Sequence, residues 1–296
     1  MYSFRQIKLN NLNEELYNKF FYCTKDSSPF LSLSWLKSIT HSSYSYSLKF
    51  LEISQFDSVV GYLPYFEKFY GLIKLCNVWG GYGGYVSIKK LELNKVFCLC
   101  VFKQYKYKDN VLKSSLFLHK EKLSTWIKII NTPYDITFSA LHKKTKNQIR
   151  KANKSDLLYI DVKSITMVEE CYSIYRMLVK KHNITTVLSI ETFHSLSKFD
   201  DVDFIASISK GKVIAYSVFL YSNTECFYWL NASNPNYSTL NATNGMLDKI
   251  IFKLSGSTIN VLNFGAVPLD NTGLHHFKSR WGAIEREYVC ETGIML

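Results

Sequence analysis

One lysine near the end of the chain has neighbours that suit it to chemistry. It lies in Phe277-Lys278-Ser279-Arg280-Trp281-Gly282, a short gap after Asn263-Phe264-Gly265. Aromatic residues on both sides can place Lys278 by packing, and a fixed ammonium within ~3 Å of an oxygen that gains charge lowers a reaction barrier. This points to group transfer at a carbonyl. The alternative is a solvated lysine that interacts with the dipole at a helix end.

Upstream, the helix expected from Thr239 to Leu254 has Ser238 and Thr239 as caps. Its free first-turn amides suit a phosphate or pyrophosphate, with Asn241 and Asn244 as added donors. An ordinary capped helix explains the same residues. Asn231 closes the preceding strand, where its amide either holds a ligand or belongs to the polar turn Asn231 to Asn236. Gly80, Gly81, Gly83 and Gly84 allow close backbone approach to a ligand, and Tyr82 and Tyr85 can stack on a sugar or base; a tight turn accounts for the glycines equally well. Lys143, Lys144, Lys146, Arg150, Lys151 and Lys154 form a cationic run with no acid. They are either phosphate contacts or a solvated helix face. His182, His275 and His276 are lone histidines without an assigned role. No Ser/His/Asp set, nucleophile elbow, P-loop or metal cluster is read, so neither an acyl-enzyme nor a bound metal is expected.

The elements that must position these residues follow from periodicity. Helices are expected over Asn13 to Tyr22 and Ser32 to Thr40, then strands over Ser47 to Ile53, Val59 to Phe66 and Leu72 to Val78. A helix from Lys89 to Tyr105 and a strand from Val111 to Leu118 close the first half. Residues 119 to 138 show no long regular pattern, which puts a domain boundary near 134. The second half reads as a basic helix (Ser139 to Lys154), a strand (Leu157 to Val162), helices (Met167 to His182, Glu191 to Phe199), and strands (Asp203 to Ser209, Val213 to Tyr221, Glu225 to Asn231). The Thr239 helix, a strand (Thr258 to Phe264), a helix (Asn271 to Arg280) and a strand (Ile284 to Cys290) complete it.

The 296 residues are enough for two domains with their own cores, and the net charge of +12 favours an anionic partner. Seven cysteines without zinc spacing read as reduced core residues. With no signal-like start and no apolar run of about 18 residues, a cytoplasmic location is expected, with peripheral contact at the inner membrane as a further expectation.

The order of strands and helices in the second half resembles the Gcn5-related N-acetyltransferase (GNAT) fold. The whole chain resembles the FemAB-like acyl and aminoacyl transferases. The residues that carry the likeness are Leu63-Pro64, Gly80 to Gly84, Lys146 to Ala152, Ile208 to Ala215, Asn263-Phe264-Gly265, Gly273-Leu274 and Phe277 to Gly282. The resemblance implies an α/β (α+β) architecture of two tandem GNAT-like modules with mixed sheets flanked by helices, residues 1–134 on the acceptor side and 135–296 on the donor side. It implies Lys278 as the catalytic contact to the donor's acyl carbonyl. Asn231, Ser238, Thr239, Asn241, Asn263, Gly265, Phe277 and Trp281 form the donor set, and Trp35, Gly81, Tyr82, Gly83 and Arg150 the acceptor set.

No permanent cofactor is expected; acyl-CoA or aminoacyl-tRNA would be the co-substrate. The acceptor would be a nucleotide-linked or lipid-linked sugar or peptide of cell-envelope or polysaccharide biosynthesis. Two departures matter. The chain has no room for the coiled-coil arm of the longer bridge-forming members, and it lacks the Q-x-x-G-x-G loop of ordinary acetyl-CoA enzymes. An aminoacyl-tRNA-dependent ligase and a non-catalytic basic module that holds an anionic polymer are the other readings.

Overall fold

In the computed structural model, residues 2–25, 27–42, 46–93, 100–107, 109, 111–112, 117–268 and 271–295 are described. The chain divides into two units: Met1–Ser124 with Ser222–Thr224 and Glu287–Leu296, and Thr125–Tyr221 with Glu225–Arg286. The boundary expected near 134 thus falls ten residues earlier, and the last residues of the chain join the first unit.

The first unit begins with β1 (Ser3–Lys8), α1 (Glu14–Cys23) and α2 (Leu33–Thr40). Asn13 caps α1 by accepting from the Leu16 amide, and Ser32 caps α2 by accepting from that of Trp35. The strands β2 (Ser47–Gln55), β3 (Ser58–Lys68), β4 (Ile73–Leu75), β5 (Val86–Ser87) and β6 (Cys100–Lys106) follow. The second unit takes up the chain within β7 (Phe117–Ile129) and continues through α3 (Tyr134–Ser139), α4 (Lys143–Lys154), β8 (Leu158–Asp161), α5 (Ile165–Lys181) and α6 (Ile190–Leu196). Then come β9 (Val202–Ser209), β10 (Lys212–Tyr221), β11 (Glu225–Ser233), α7 (Ala242–Ser255), β12 (Val261–Ala266), α8 (Thr272–Arg280) and β13 (Ile284–Met295).

In the first unit the strand order is β1-β2-β3-β4-β6-β13, with β5 on β3; in the second it is β7-β12-β11-β10-β9-β8. Both sheets are mixed: β4 runs parallel to β6 and β11 parallel to β12. Apolar faces bury Leu51, Leu63, Tyr65 and Phe102 in one core and Leu247, Ile251, Leu262 and Trp281 in the other.

The helix expected over Lys89 to Tyr105 does not exist as such. Cys100–Lys106 is a strand, held by β4 and β13 on its two edges, and 94–99 lie outside the described residues. Sheet pairing overrides an apolar run that local spacing reads as helix. Of the expected strand Val111 to Leu118, residues 113–116 lie outside the described residues. The supposedly irregular 119–138 contains most of β7, because Leu123-Ser124-Thr125-Trp126-Ile127-Lys128-Ile129 alternates at strand period, and all but the last residue of α3. The six described cysteines are free, five buried and Cys23 exposed. No helix among the described residues is long and apolar enough to cross a membrane.

Candidate functional site

Strands β11 and β12 are parallel neighbours for only three residue pairs, Glu225 to Val261, Cys226 to Leu262 and Phe227 to Asn263. Beyond Phe227, β11 continues for six residues without a partner on β12. Both strands carry a bulge at this level. On β11 the extra residue is Trp229, where pairing to β10 shifts between Val218 and Phe219. On β12 the register to β7 shifts between Asn263 and Ala266. A bulge bends its strand and increases local twist, so the two strands part from here on. The parting leaves a cleft in the sheet whose walls are Tyr228–Ser233 and the end of β12.

The end of β12 is fixed from beneath by polar contacts. The Asn263 side chain is wholly buried; its Oδ1 accepts from Thr125 Oγ1 at 2.8 Å and from the Gly265 amide at 2.8 Å, and its Nδ2 donates to Glu225 Oε1 at 2.7 Å. Gly265 takes φ +76°, in the left-handed region, and a Cβ there would lie 3.3 Å from the Phe227 ring, so glycine suits both the turn and the contact. The bulge frees the Gly265 and Ala266 carbonyls, and Lys278 meets them. Its Nζ donates to Gly265 O at 2.8 Å and to Ala266 O at 3.0 Å.

Lys278 is 5 % exposed, so it is not the solvated helix-end lysine of the alternative reading. Phe277 on α8 and Trp281 at its C-cap flank it, with Phe277 edge-on to both Trp281 and Phe264. Desolvation lowers its pKa from the ordinary lysine range to about 7. An ammonium has three N–H donors, and two serve the carbonyls, which leaves one for a ligand oxygen.

On the other wall, Tyr228 is the first β11 residue past the pairing. Burial raises its pKa, so the phenol stays protonated, and its hydroxyl has no hydrogen-bond partner among the described residues. α7 packs across this region through Leu247 and Ile251. Asn244 shares their helical face at i−3 and i−7. Asn244 is buried, and its Oδ1 has no hydrogen-bond partner among the described residues. A buried polar atom in that state fits a site completed by a ligand or water.

Other expected donor residues are placed differently. Ser238 and Thr239 do not cap α7; they are exposed in a six-residue 3-10 segment, Pro235–Leu240, and α7 begins at Ala242 after Asn241. The proline-led turn takes up the residues that were expected to start the helix. Asn241 adopts φ +56° with no side-chain cap bond, and its Nδ2 donates to Thr239 O at 3.0 Å. Asn231 lies inside β11, opposite Ser217, rather than in the turn. Trp281 is 1 % exposed in the core cluster, and Asn263 has both side-chain polar atoms engaged; each supports the site without an open face. Lys278, Gly265, Phe277 and Asn263 are brought together, while Ser238 and Thr239 stand apart on the surface segment.

Four of the five expected acceptor residues lie in the first unit, where internal packing uses them. Trp35 is buried and donates Nε1–H to Asn77 Oδ1 at 3.2 Å; Tyr82 is buried with its ring stacked on Tyr107 at 4.4 Å. Neither ring is open for stacking on a sugar. A Cβ at Gly81 would sit 2.9 Å from Asn77, and one at Gly83 2.4 Å from the Cys76 Cβ, so these glycines serve close packing. Arg150 is exposed in the second unit, on α4, with its guanidinium 5.8 Å from the Phe138 ring centroid.

The cavity of the first unit, about 300 Å³, lies elsewhere and is lined by Thr24, Lys25, Tyr85, Ser87, Lys89 and Lys90. The pair Lys89-Lys90 was its visible signal, absorbed instead into the expected helix. Glu225 and Thr125 were also missed. Glu225 opens a strand that is apolar for several residues, a position where a buried acid needs a partner.

No family model matches the chain, and no curated protein sequence matches it. Solved structures do. A structure titled FemX aligns over 96 % of this chain and 96 % of its own, with TM-score 0.67 at 9 % identity. The C-terminal domain of a putative lysylphosphatidylglycerol synthetase from Agrobacterium fabrum aligns over 94 % and 90 %, with TM-score 0.59 at 10 % identity. A tandem GNAT protein from the clavulanic acid biosynthesis pathway aligns over 100 % and 99 %, with TM-score 0.52 at 6 % identity. The fold is therefore the tandem GNAT arrangement of α/β modules, and its neighbours match the FemAB-like resemblance carried by the sequence motifs.

Proposed function

We propose that the protein is an acyltransferase in which an amine or hydroxyl of a sugar or peptide cell-envelope precursor attacks an activated acyl group held in the β11/β12 cleft. The observation that carries this reading is the buried Lys278 ammonium, anchored to the last residues of β12 with one donor to spare. The bond from the acyl carbon to its carrier breaks, a new C–N or C–O bond forms, and the acceptor's proton leaves to water or to the carrier. Lys278 is the catalytic residue; Asn263 and Gly265 are positioning residues for it. Acyl-CoA is the leading donor, its phosphates at the first turn of α7, where helix geometry leaves amides without intrahelical acceptors. The lysine-lined cavity of the first unit is where a phosphate-bearing acceptor would sit. The site would work at the cytoplasmic side of the envelope.

A second reading, aminoacyl-tRNA as donor, is favoured by α4. Lys143, Lys144, Arg150, Lys151 and Lys154 are all exposed on it, and α4 carries no acid. Incubating the protein with acetyl-CoA, longer acyl-CoAs and charged tRNA, and recording which raises Tm, separates the donors. A rise with an acyl-CoA supports the first reading, and a rise with charged tRNA that fades with salt supports the second. No rise with any activated donor contradicts both and leaves a non-catalytic basic module.

A further inference from the structure

The hairpin between β3 and β4 turns through Phe69, Tyr70, Gly71 and Leu72, and its form is costly for its sequence. Phe69 and Tyr70 take φ +51° and +55°, followed by Gly71 at +88°. Two consecutive aromatic residues in the left-handed region are outliers where Gly or Asn would sit without strain. Nothing in the unit's own core repays them, because Phe69, Tyr70 and Leu72 are all exposed, Tyr70 entirely. Exposed Val101 adjoins them, since its amide donates to Leu72 O at 2.8 Å. The four side chains make an apolar projection at one edge of the sheet.

The charge around it is paired on one side and positive on the other: a Cβ at Gly71 would lie 3.5 Å from Glu67 Oε2, Lys74 is buried, and Lys68 adjoins the exposed rings. Between Lys68 and Lys74 there is no acid, and the adjacent Glu67 is engaged by Lys49 at 3.3 Å. The Lys68 ammonium lies 4.8 Å from the Phe69 ring centroid, so cation and aromatic face the same way. Aromatic rings that project beside lysines match the boundary between acyl chains and anionic headgroups, where rings partition and ammonium groups meet phosphate. A convex tip also lacks the pocket that an apolar peptide anchor would fill.

We propose that the Phe69–Leu72 hairpin tip is a membrane-docking element that inserts Phe69, Tyr70 and Leu72 into the interface of an anionic bilayer, with Lys68 at the headgroups. The inference does not rest on the transfer reading; it gives a surface and a partner for the membrane contact expected from the charge. The test is co-sedimentation with vesicles of phosphatidylglycerol and phosphatidylcholine, and with phosphatidylcholine alone.

The wild-type protein is expected to bind the anionic vesicles and to bind neutral ones at least about tenfold more weakly. F69S/Y70S is expected to lose about tenfold or more in vesicle affinity with little change in Tm, since both side chains are exposed and bury nothing in the fold. Phe56→Ser is the control, because Phe56 is another exposed aromatic at φ +50°, in the β2/β3 turn, and it is expected to bind as wild type. No binding to anionic vesicles, or equal losses in F69S/Y70S and Phe56→Ser, overturns the proposal. So does a dimer in sedimentation velocity that only the double variant abolishes, which assigns the tip to a second copy of the chain.

Discussion

Lys278 donates to the carbonyl of Gly265 at 2.8 Å, and the Gly265 amide donates to Asn263 Oδ1 at the same distance. One residue thus links a buried ammonium to a buried amide network through its two backbone groups. The link explains why Asn263-Phe264-Gly265 and the lysine thirteen residues later belong to one device. The bulge supplies free carbonyls, the lysine occupies them, and the network below holds the bulge in place.

The lowered pKa of Lys278 couples charge to stability. In the unfolded chain the group titrates near its ordinary value of 10.5, in the fold at about 7. Between these values the unfolded state binds more protons, so Lys278's contribution to stability rises with pH from about 7 to about 10.5 and its charging cost is complete below about 7. Lys278→Met removes that dependence. Urea denaturation at pH 6 and pH 9 is expected to show the variant gaining on wild type at the lower pH and losing the advantage at the higher one.

If the ammonium is the working form, kcat/KM is expected to fall as pH rises through about 7, because deprotonation removes the donor left for the acyl oxygen. A rate that rises through the same pH would make the neutral amine a base instead. A pH profile under conditions where the chemical step limits the rate distinguishes them.

Asn263→Ala leaves Glu225, Thr125 and the Gly265 amide without their shared partner. Each buried group so abandoned costs about 1–3 kcal/mol, more for a charge. A loss of about 3 kcal/mol or more is expected in chemical denaturation, with kcat reduced because Lys278 loses its fixed carbonyl. Asn263→Asp is expected to be no better, since it places a second carboxylate against Glu225.

Gly245 of α7 gives a packing prediction away from the cleft. A Cβ there would lie 1.8 Å from the Tyr159 hydroxyl, which has no hydrogen-bond partner among the described residues. Gly245→Ala is expected to destabilise by about 1–3 kcal/mol through overpacking. Tyr159→Phe is expected to be near neutral, and the double variant to recover part of the loss. A thermodynamic cycle measures the coupling, expected above about 0.5 kcal/mol.

Much of the second unit was legible because its helices and strands carry clean periods. α4, α5, β9, β10 and α8 lie within a few residues of their expected bounds. Capping was less so: Ser238 and Thr239 have the right types for an N-cap, yet Pro235 starts a 3-10 turn that uses them first. The first unit hid more, since Cys100–Lys106 becomes a strand only through partners distant in sequence. Lys278 stood out by its aromatic neighbours. The cleft beside it did not, because a bulge such as that at Trp229 is a matter of register, which one strand's residues do not reveal. The glycines of the 80–84 loop have a type that suits ligand approach and close packing alike. Only the positions of Asn77 and Cys76 show that packing claims Gly81 and Gly83.

The most direct test of the central claim is the single-turnover rate of acyl transfer at pH 6 from whichever donor raises Tm, in wild type and Lys278→Met. Loss of one preorganised donor to a developing oxyanion costs about 10²–10³ in rate. The expected result is a fall of that size with the donor's Tm shift retained. An equal rate in the two proteins would remove Lys278 from the chemistry and contradict the account.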